Sequence, residues 1–395
     1  MTDRFDVAVI GAGPAGSLSA YLLADAGASV VLLDRATFPR DKPCGGGLTA
    51  RAVRLLPFTV TPVVEEVIDR FEIRMEYGRS IRRSTRDPLV YMTQRRRLDA
   101  FLAERAAEAG AEFRDRTRVA SIDQAADAVR VETSSGTIRA RVVVGADGAN
   151  GVSAKALNLW TQPSYGVALE GNLPYDEVDR DRYRRRVVVE IGTVPGGYAW
   201  VFPKGDHVNF GVGGWEREGP NLRAHLDRLC REHGVAAARL QSVRGHRLPT
   251  RRPGAPLVDR RGLLVGDAAG LVDPWTGDGM FEAFGSARHA AAAIGDVLGG
   301  RSTGLQPYDA AVRRALDGPT ALAWDVKTAF DRAPNAFFAA ASTRLGWRLV
   351  ERFMRRQDDT RRDPGLRARL TVAALALASR AMGSPGREFW ESRAR

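Results

Sequence analysis

Cysteine, lysine and histidine are scarce in this chain, and no apolar run is long. Two cysteines, Cys44 and Cys230, in 395 residues allow at most one bridge, which excludes a disulfide-stapled scaffold and points to a reducing compartment. The five histidines, at 207, 225, 233, 246 and 289, form no ligand spacing with those cysteines, so no metal centre is expected. The longest apolar stretch, "LTVAALALAS" from Leu370 to Ser379, is half the roughly 20 residues that a membrane span needs. The first residues, "MTDRFDVAVIG", hold no leader-like apolar segment. A cytoplasmic protein without a spanning helix is the expectation. Lysine is confined to positions 42, 155, 204 and 327, so the net charge of +12 is carried almost wholly by arginine. The arginine clusters at 95–97, 184–186 and 251–252 are scattered and match no nucleic-acid module, so no nucleic-acid partner is expected. A basic surface suits anionic lipid head groups or phosphorylated substrates instead.

What is there is globular: 44% hydrophobic and 27% charged residues suffice for a packed core in one large or a few smaller domains. "FDVAVI" leads directly into "GAGPAG", then "SLSAYLLADAGA" has helical spacing and "SVVLLD" is a second apolar run, together a β-α-β unit. In the glycine loop Gly11 permits a tight turn, Gly13 lets the backbone approach a pyrophosphate, and Gly16, after Ala15, allows close helix packing. The helix start adds free N–H groups and a favourable dipole. Asp34, followed by Arg35, ends the second strand, placed to accept from a ribose 2′-hydroxyl. An acid there disfavours a 2′-phosphate, so FAD or NAD is expected rather than NADP.

Further along, "FEIRMEYGRSIRR" alternates like a strand and hairpin, "RRRLDAFLAERAAEAGA" reads as an amphipathic helix ending at Gly110, and Gly136 marks a hairpin turn. From about residue 165 to 215 the alternating segments "RRVVVEIG", "GYAWVFP" and "HVNFGVGGW" predict an antiparallel sheet with one covered face. The helical "NLRAHLDRLCREHG" follows, "GLLVGDAAGLVDPWTGDGMFEAFGSARHAAAAIGDVL" returns to strand, loop and helix, and the chain beyond about 305 reads as helical. The expected fold is α/β: a Rossmann-type domain over 1–60, 90–160 and 255–305, an inserted antiparallel β-sheet substrate domain over 61–89 and 161–254, and a helical C-terminal segment, 306–395.

Two later segments narrow the cofactor. "VVVGADG" ends in Asp147 and Gly148, and "GLLVGDAAG" contains Gly266 and Asp267 before its loop and helix. With the glycine fingerprint, these segments in this order resemble the flavoprotein group that includes aromatic hydroxylases, halogenases and geranylgeranyl reductases, which makes FAD the expected cofactor. The resemblance implies that Asp267 contacts the ribityl chain and that Arg95, heading an "RxxLD" helix, helps hold the cofactor. Within that group "PGGYAWVFPKGDHVNFGVGG" decides the branch. Tyr198, Trp200 and Phe202 sit two apart, so on a strand they share one face and form an aromatic wall. Gly211 and Gly213 are expected to leave space against it. This spacing, with Pro203, is similar to the YxWxFP-then-GxG signature of geranylgeranyl reductases, in which it lines an isoprenoid channel. "KPCGGG", with Cys44, Gly45 and Gly46, is similar to that family's cysteine and glycine loop near the flavin. "GDAAGLVDPWTGDGM", with Gly277, Gly279 and Met280, resembles its third flavin segment. Halogenases would carry a lysine before the substrate sheet and a double-tryptophan motif ending in Ile-Pro; residues 43 to 154 contain no lysine and the motif here is Tyr-Ala-Trp-Val-Phe-Pro.

The implied activity is FAD-dependent reduction of carbon–carbon double bonds in a geranylgeranyl or polyprenyl lipid or a quinone side chain. Hydride would come from reduced flavin, with Cys44, Tyr198 and Trp200 as catalytic candidates. For Cys44 an acid, redox or packing role all stand open, although a thiol of ordinary pKa, about 8.5, is a poor acid for an isolated alkene. Lys42 and Arg40 are candidates for reading a phosphate head group, and Asp278 for capping a helix aimed at the flavin. No second dinucleotide fingerprint is present, so NAD(P)H binding transiently or a small redox protein is the expected electron donor. "LGWRLVERFMRR" places Leu345, Leu349, Val350, Phe353 and Met354 on one helical face with Trp347 off it, for packing on the domain or for peripheral membrane contact. The alternatives are a group A flavin monooxygenase hydroxylating or epoxidising an aromatic or polyketide substrate, and a flavoprotein that only carries an isoprenoid or electrons.

Overall fold

The computed structural model describes residues 3–161, 163–250 and 254–355; the run Leu370–Ser379 lies outside them. The chain begins with the expected β-α-β unit, β1 (Asp3–Ile10), α1 (Pro14–Asp25) and β2 (Val30–Leu33). Beyond the short strands Gly47–Thr49 and Glu66–Ile68 lies the hairpin β3 (Arg70–Met75) and β4 (Arg79–Ser84), and further along the chain α2 (Arg95–Glu108), β5 (Glu112–Arg114) and β6 (Gly136–Gly145). Then come β7 (Ser164–Pro174), β8 (Arg186–Ile191), β9 (Tyr198–Pro203), β10 (His207–Trp215) and the helix α3 (Leu222–Glu232). The strands β11 (Gln241–Thr250) and β12 (Gly262–Leu264) precede the long helix α4 (Met280–Leu298). Helices fill the described chain from Gln306 on, ending in α5 (Arg344–Arg355).

The parallel core of the first sheet runs β12–β6–β1–β2–β5, and shorter strands extend the sheet antiparallel from β6 and β12. Val7, Val9 and Leu32 pack on one face with Ala20 and Leu23 of α1 and Ile294 of α4, while Ala8, Ile10 and Val31 pack on the other with Ile122 and Val131. Burial on both faces is why these strands read as unbroken apolar runs. The loops after β1, β2, β6 and β12, carrying Gly11, Asp34, Asp147 and Asp267, therefore gather at one end of the sheet, where α/β proteins bind ligands.

The second sheet runs β11–β7–β10–β9–β8–β3–β4. It is antiparallel except that β3 joins β8 in parallel, Arg70 opposite Arg186 and Met75 opposite Ile191. No tight turn links those two strands, so nothing local dictates an antiparallel pair. Ala199, Val201, Phe210 and Val212 face α3 through Leu226, Leu229 and Cys230. The alternate residues of β9, Tyr198, Trp200 and Phe202, point the other way.

The α5 reading needs correction. Trp347 is only 6% exposed and packs on Phe71 at 5.5 Å between ring centroids, with Val350 and Met354 beside it, whereas Leu345 is 70% and Leu349 38% exposed. The indole offers more apolar area than either leucine, and the patch of Phe71, Leu89 and Val187 takes it. Phe353 falls outside the described side chains. Among the described residues no helix is long and apolar enough to cross a membrane.

Candidate active site

The glycine loop makes the sharp turn at Gly11, φ 103°, whose amide donates to the Leu33 carbonyl at 2.7 Å. A side chain on Gly11 would strike the Ala146 backbone, and one on Gly16 the Gly11 carbonyl. Gly13 differs: a Cβ there would meet nothing nearer than Arg40 at 3.6 Å and Arg95 at 3.9 Å, both guanidinium nitrogens. Space and positive charge coincide at the start of α1, which carries no side-chain cap. Arg95 is buried and grips Asp99 through two bonds of 2.7 Å, and Arg40 takes the same carboxylate at 2.9 Å. Burial opposes the charge on Arg95, but Asp99 more than compensates and raises its pKa. Two guanidinium groups beside the uncapped helix start offer N–H donors that fit a diphosphate. Arg40, read from sequence as a head-group candidate, stands beside Gly13 and Asp99.

Asp34 is buried, its Oδ2 accepting the Ala12 amide and its Oδ1 the Ala36 amide, each at 2.9 Å, with Arg40 at 3.7 Å. Arg35 is exposed beside it, at the rim of a cleft lined by Gly11, Thr117 and Asp147. Asp147 accepts the amides of Val152 and Ser153 at 2.7 and 3.0 Å, so its immediate role is to cap the turn that follows, close to Gly148. Asp267 is held by Lys42, Nζ to Oδ2 at 3.0 Å, with His246 at 3.8 Å. Burial works to raise its pKa, yet Lys42 and His246 keep it well below the ordinary carboxylate range. Lys42 therefore partners the ribityl candidate. Gly266, φ 56°, faces Ala15, and Gly279 brings the start of α4 against Asp267, a Cβ there falling 3.2 Å from its Oδ1. Met280 N donates to Asp278 Oδ1 at 2.8 Å, but the N-cap of α4 is Gly279, so Asp278 stands one residue before the position expected for it.

The aromatic wall stands on β9, with centroids of Tyr198 and Trp200 at 5.9 Å and of Trp200 and Phe202 at 6.1 Å. The Tyr198 hydroxyl donates to the Thr276 carbonyl at 2.5 Å, tying the wall to the loop of Gly277. Burial pushes the phenol pKa far up, so it stays protonated. Trp200 donates to Asn209 Oδ1 at 2.8 Å, and Asn209 to Asn172 Oδ1 at 2.9 Å. The glycines opposite act differently from the sequence reading. A side chain on Gly211 would overlap the Trp200 ring, so this glycine seats the indole and leaves no empty channel there; Gly213 lies at the ring's far edge, its Cβ position 3.5 Å from it. Pro203 is out of phase with the wall and pairs with Val208 on the α3 side.

The Cys44 loop lies directly on this wall. Gly45 has room for no side chain beyond contact with Phe202 at 3.1 Å, and Gly46, φ 69°, abuts Lys204 and the Thr93 carbonyl. The close approach that demands glycine is to these protein groups. Lys204, 2% exposed, donates to the Gly45 carbonyl and to Thr93 O at 2.9 Å. The Cys44 amide donates to Glu170 Oε1 at 2.7 Å, and its sulfur accepts from Gly46 N at 3.4 Å. Glu170, Lys204, Asn209 and His246 were missed in the sequence. Lys204 carried a faint signal as one of four lysines, immediately after the aromatic motif; the others have none, because cross-strand register brings them in.

Residues 4–316 match the family model described as FAD binding domain. An uncharacterised protein of Methanosarcina barkeri is 34% identical over 301 residues, 74% of this chain and 74% of its own length. Digeranylgeranylglycerophospholipid reductase 1 of Methanopyrus kandleri is 33% identical over 309 residues, 70% of this chain and 76% of its own. The crystal structure of a geranylgeranyl bacteriochlorophyll reductase-like protein from Thermoplasma acidophilum matches with TM-score 0.79 and 20% identity, covering 91% of this chain and 98% of that one, a likeness of fold.

Proposed function

The chain belongs to the FAD binding domain family and, within it, to the geranylgeranyl reductases, and on that premise we propose that this FAD-dependent oxidoreductase saturates carbon–carbon double bonds of an isoprenoid chain. The observation that carries the reading is the packing of Gly45, next to Cys44, on Trp200 and Phe202, in the same loop as Lys42, which holds Asp267: an aromatic surface adjoining the flavin candidates. Bound FAD, once reduced, supplies the hydride. Gly13, Arg40 and Arg95 hold the diphosphate, Asp34 the adenosine end, and Asp267 with Lys42 the ribityl region, while Gly277, Gly279 and Met280 present the start of α4. Tyr198 and Trp200 line the substrate's path and offer ring faces to positive charge developing on a tertiary carbon. The Cys44 loop shuts water out. NAD(P)H or a small redox protein supplies the electrons, and the substrate, a geranylgeranyl or polyprenyl lipid or quinone side chain, reaches the protein at the cytoplasmic face of a membrane.

The test is the product. Chemically reduced protein, incubated without oxygen with geranylgeranyl diphosphate or a polyprenyl quinone, should yield a product heavier by two hydrogens per reduced bond. A product heavier by one oxygen, formed only in air, would instead make this a monooxygenase.

A further inference from the structure

Resting on that reading, we infer that Glu170 is the acid that protonates the alkene carbon not receiving the hydride. Glu170 stands on β7 opposite Gly211 of β10, which in turn stands opposite Trp200 of β9, so acid, glycine and indole lie side by side on the substrate face of the sheet. Because Gly211 has no side chain, the Trp200 ring lies over it and carries the aromatic wall across to the strand of Glu170. Oε1 is occupied by the Cys44 amide at 2.7 Å, which leaves Oε2 to carry the proton.

The neighbouring acids are poorer choices. The Tyr198 phenol donates to Thr276 O and is held protonated by burial. Lys204 directs two of its N–H donors to Gly45 and Thr93, and the Cys44 sulfur accepts from Gly46 N. Burial lifts the Glu170 carboxyl above the ordinary range, aided by Asp41 and opposed by the Cys44 amide, Lys204 and Arg244; His246 flanks it on β11. A carboxylic acid whose pKa is raised by burial is suited to general-acid work.

In the step, hydride from reduced flavin brings both electrons to one alkene carbon. The Glu170 O–H bond breaks, its proton forms the second C–H bond on the adjacent carbon, and the resulting carboxylate is reprotonated from solvent. The proton is available below the Glu170 pKa and is lost as pH rises through it.

The experiment compares wild type, Glu170→Gln and Glu170→Asp in anaerobic turnover of geranylgeranyl diphosphate across pH, with flavin reduction by dithionite and substrate binding measured alongside. Glu170→Gln should bind substrate and accept electrons normally, yet turn over on the order of 10²–10⁴ times more slowly. It should also lose the alkaline limb of the wild-type profile, which Glu170→Asp restores in part. In the cofactor-free protein, infrared spectra should show a protonated carboxyl persisting above the ordinary carboxyl range and missing from Glu170→Gln. Turnover of Glu170→Gln within a few fold of wild type, with the alkaline limb unchanged, overturns this inference alone. Failure of wild type to reduce any alkene overturns it together with the proposed function.

Discussion

Gly13 and Gly16 share one loop but are glycine for different reasons, and alanine separates them. Gly16→Ala forces a Cβ into the Gly11 carbonyl and should cost about 1–3 kcal/mol or more in denaturant unfolding of the apoprotein. Gly13→Ala meets no protein atom within 3.6 Å and has an extended backbone, φ −80°, so the apoprotein should unfold as wild type does. Its FAD affinity, measured by titration, should fall by about tenfold, roughly 1.4 kcal/mol. Unchanged FAD binding by Gly13→Ala would mean the diphosphate lies elsewhere. Gly16 is readable from sequence because its partner, Gly11, stands in the same short loop, and Gly13 because the spacing of that loop marks it. Glu170 and Lys204 are not, since the Cys44 amide and the Gly45 carbonyl reach them across more than a hundred residues of chain.

Among the elements, β9 shows how far a period carries. Two-residue alternation places Tyr198, Trp200 and Phe202 on one face, as read from sequence, and the same rule turns Pro203 away, although its place in the motif grouped it with them. What alternation cannot reveal is depth: that the Trp200 ring fills the place of a Gly211 side chain depends on which strand lies beside β9. Helix α5 fails for a related reason. Its sequence offers two overlapping apolar stripes, and only the patch around Phe71 on the neighbouring sheet selects the one containing Trp347. Trp347→Ala should therefore cost about 3–5 kcal/mol in urea unfolding, whereas Leu345→Ala should stay within about 0.5 kcal/mol of wild type. The reverse order would place the leucine stripe inward.

At the scale of the molecule, the site exists where the C-terminal end of one sheet meets the open face of the other. Among the ties that join them are Tyr198 to Thr276, Lys204 to Gly45 and Glu170 to the Cys44 amide. The cofactor half is legible in sequence because the parallel sheet repeats strand, turn and helix locally, and the fold class follows from it. The reacting half is assembled from β7, β9, β10 and the Cys44 loop, so its aromatic side was visible and its acidic side was not. On the proposed function, an isoprenoid alkene, rather than oxygen, takes the electrons from the flavin in this junction. Stopped-flow absorbance of the reduced flavoprotein mixed under argon with geranylgeranyl diphosphate tests that claim most directly. The account predicts saturable flavin reoxidation matched by an equal amount of reduced double bonds. A flavin that stays reduced with every isoprenoid under argon, and reoxidises only when oxygen is admitted, would contradict it.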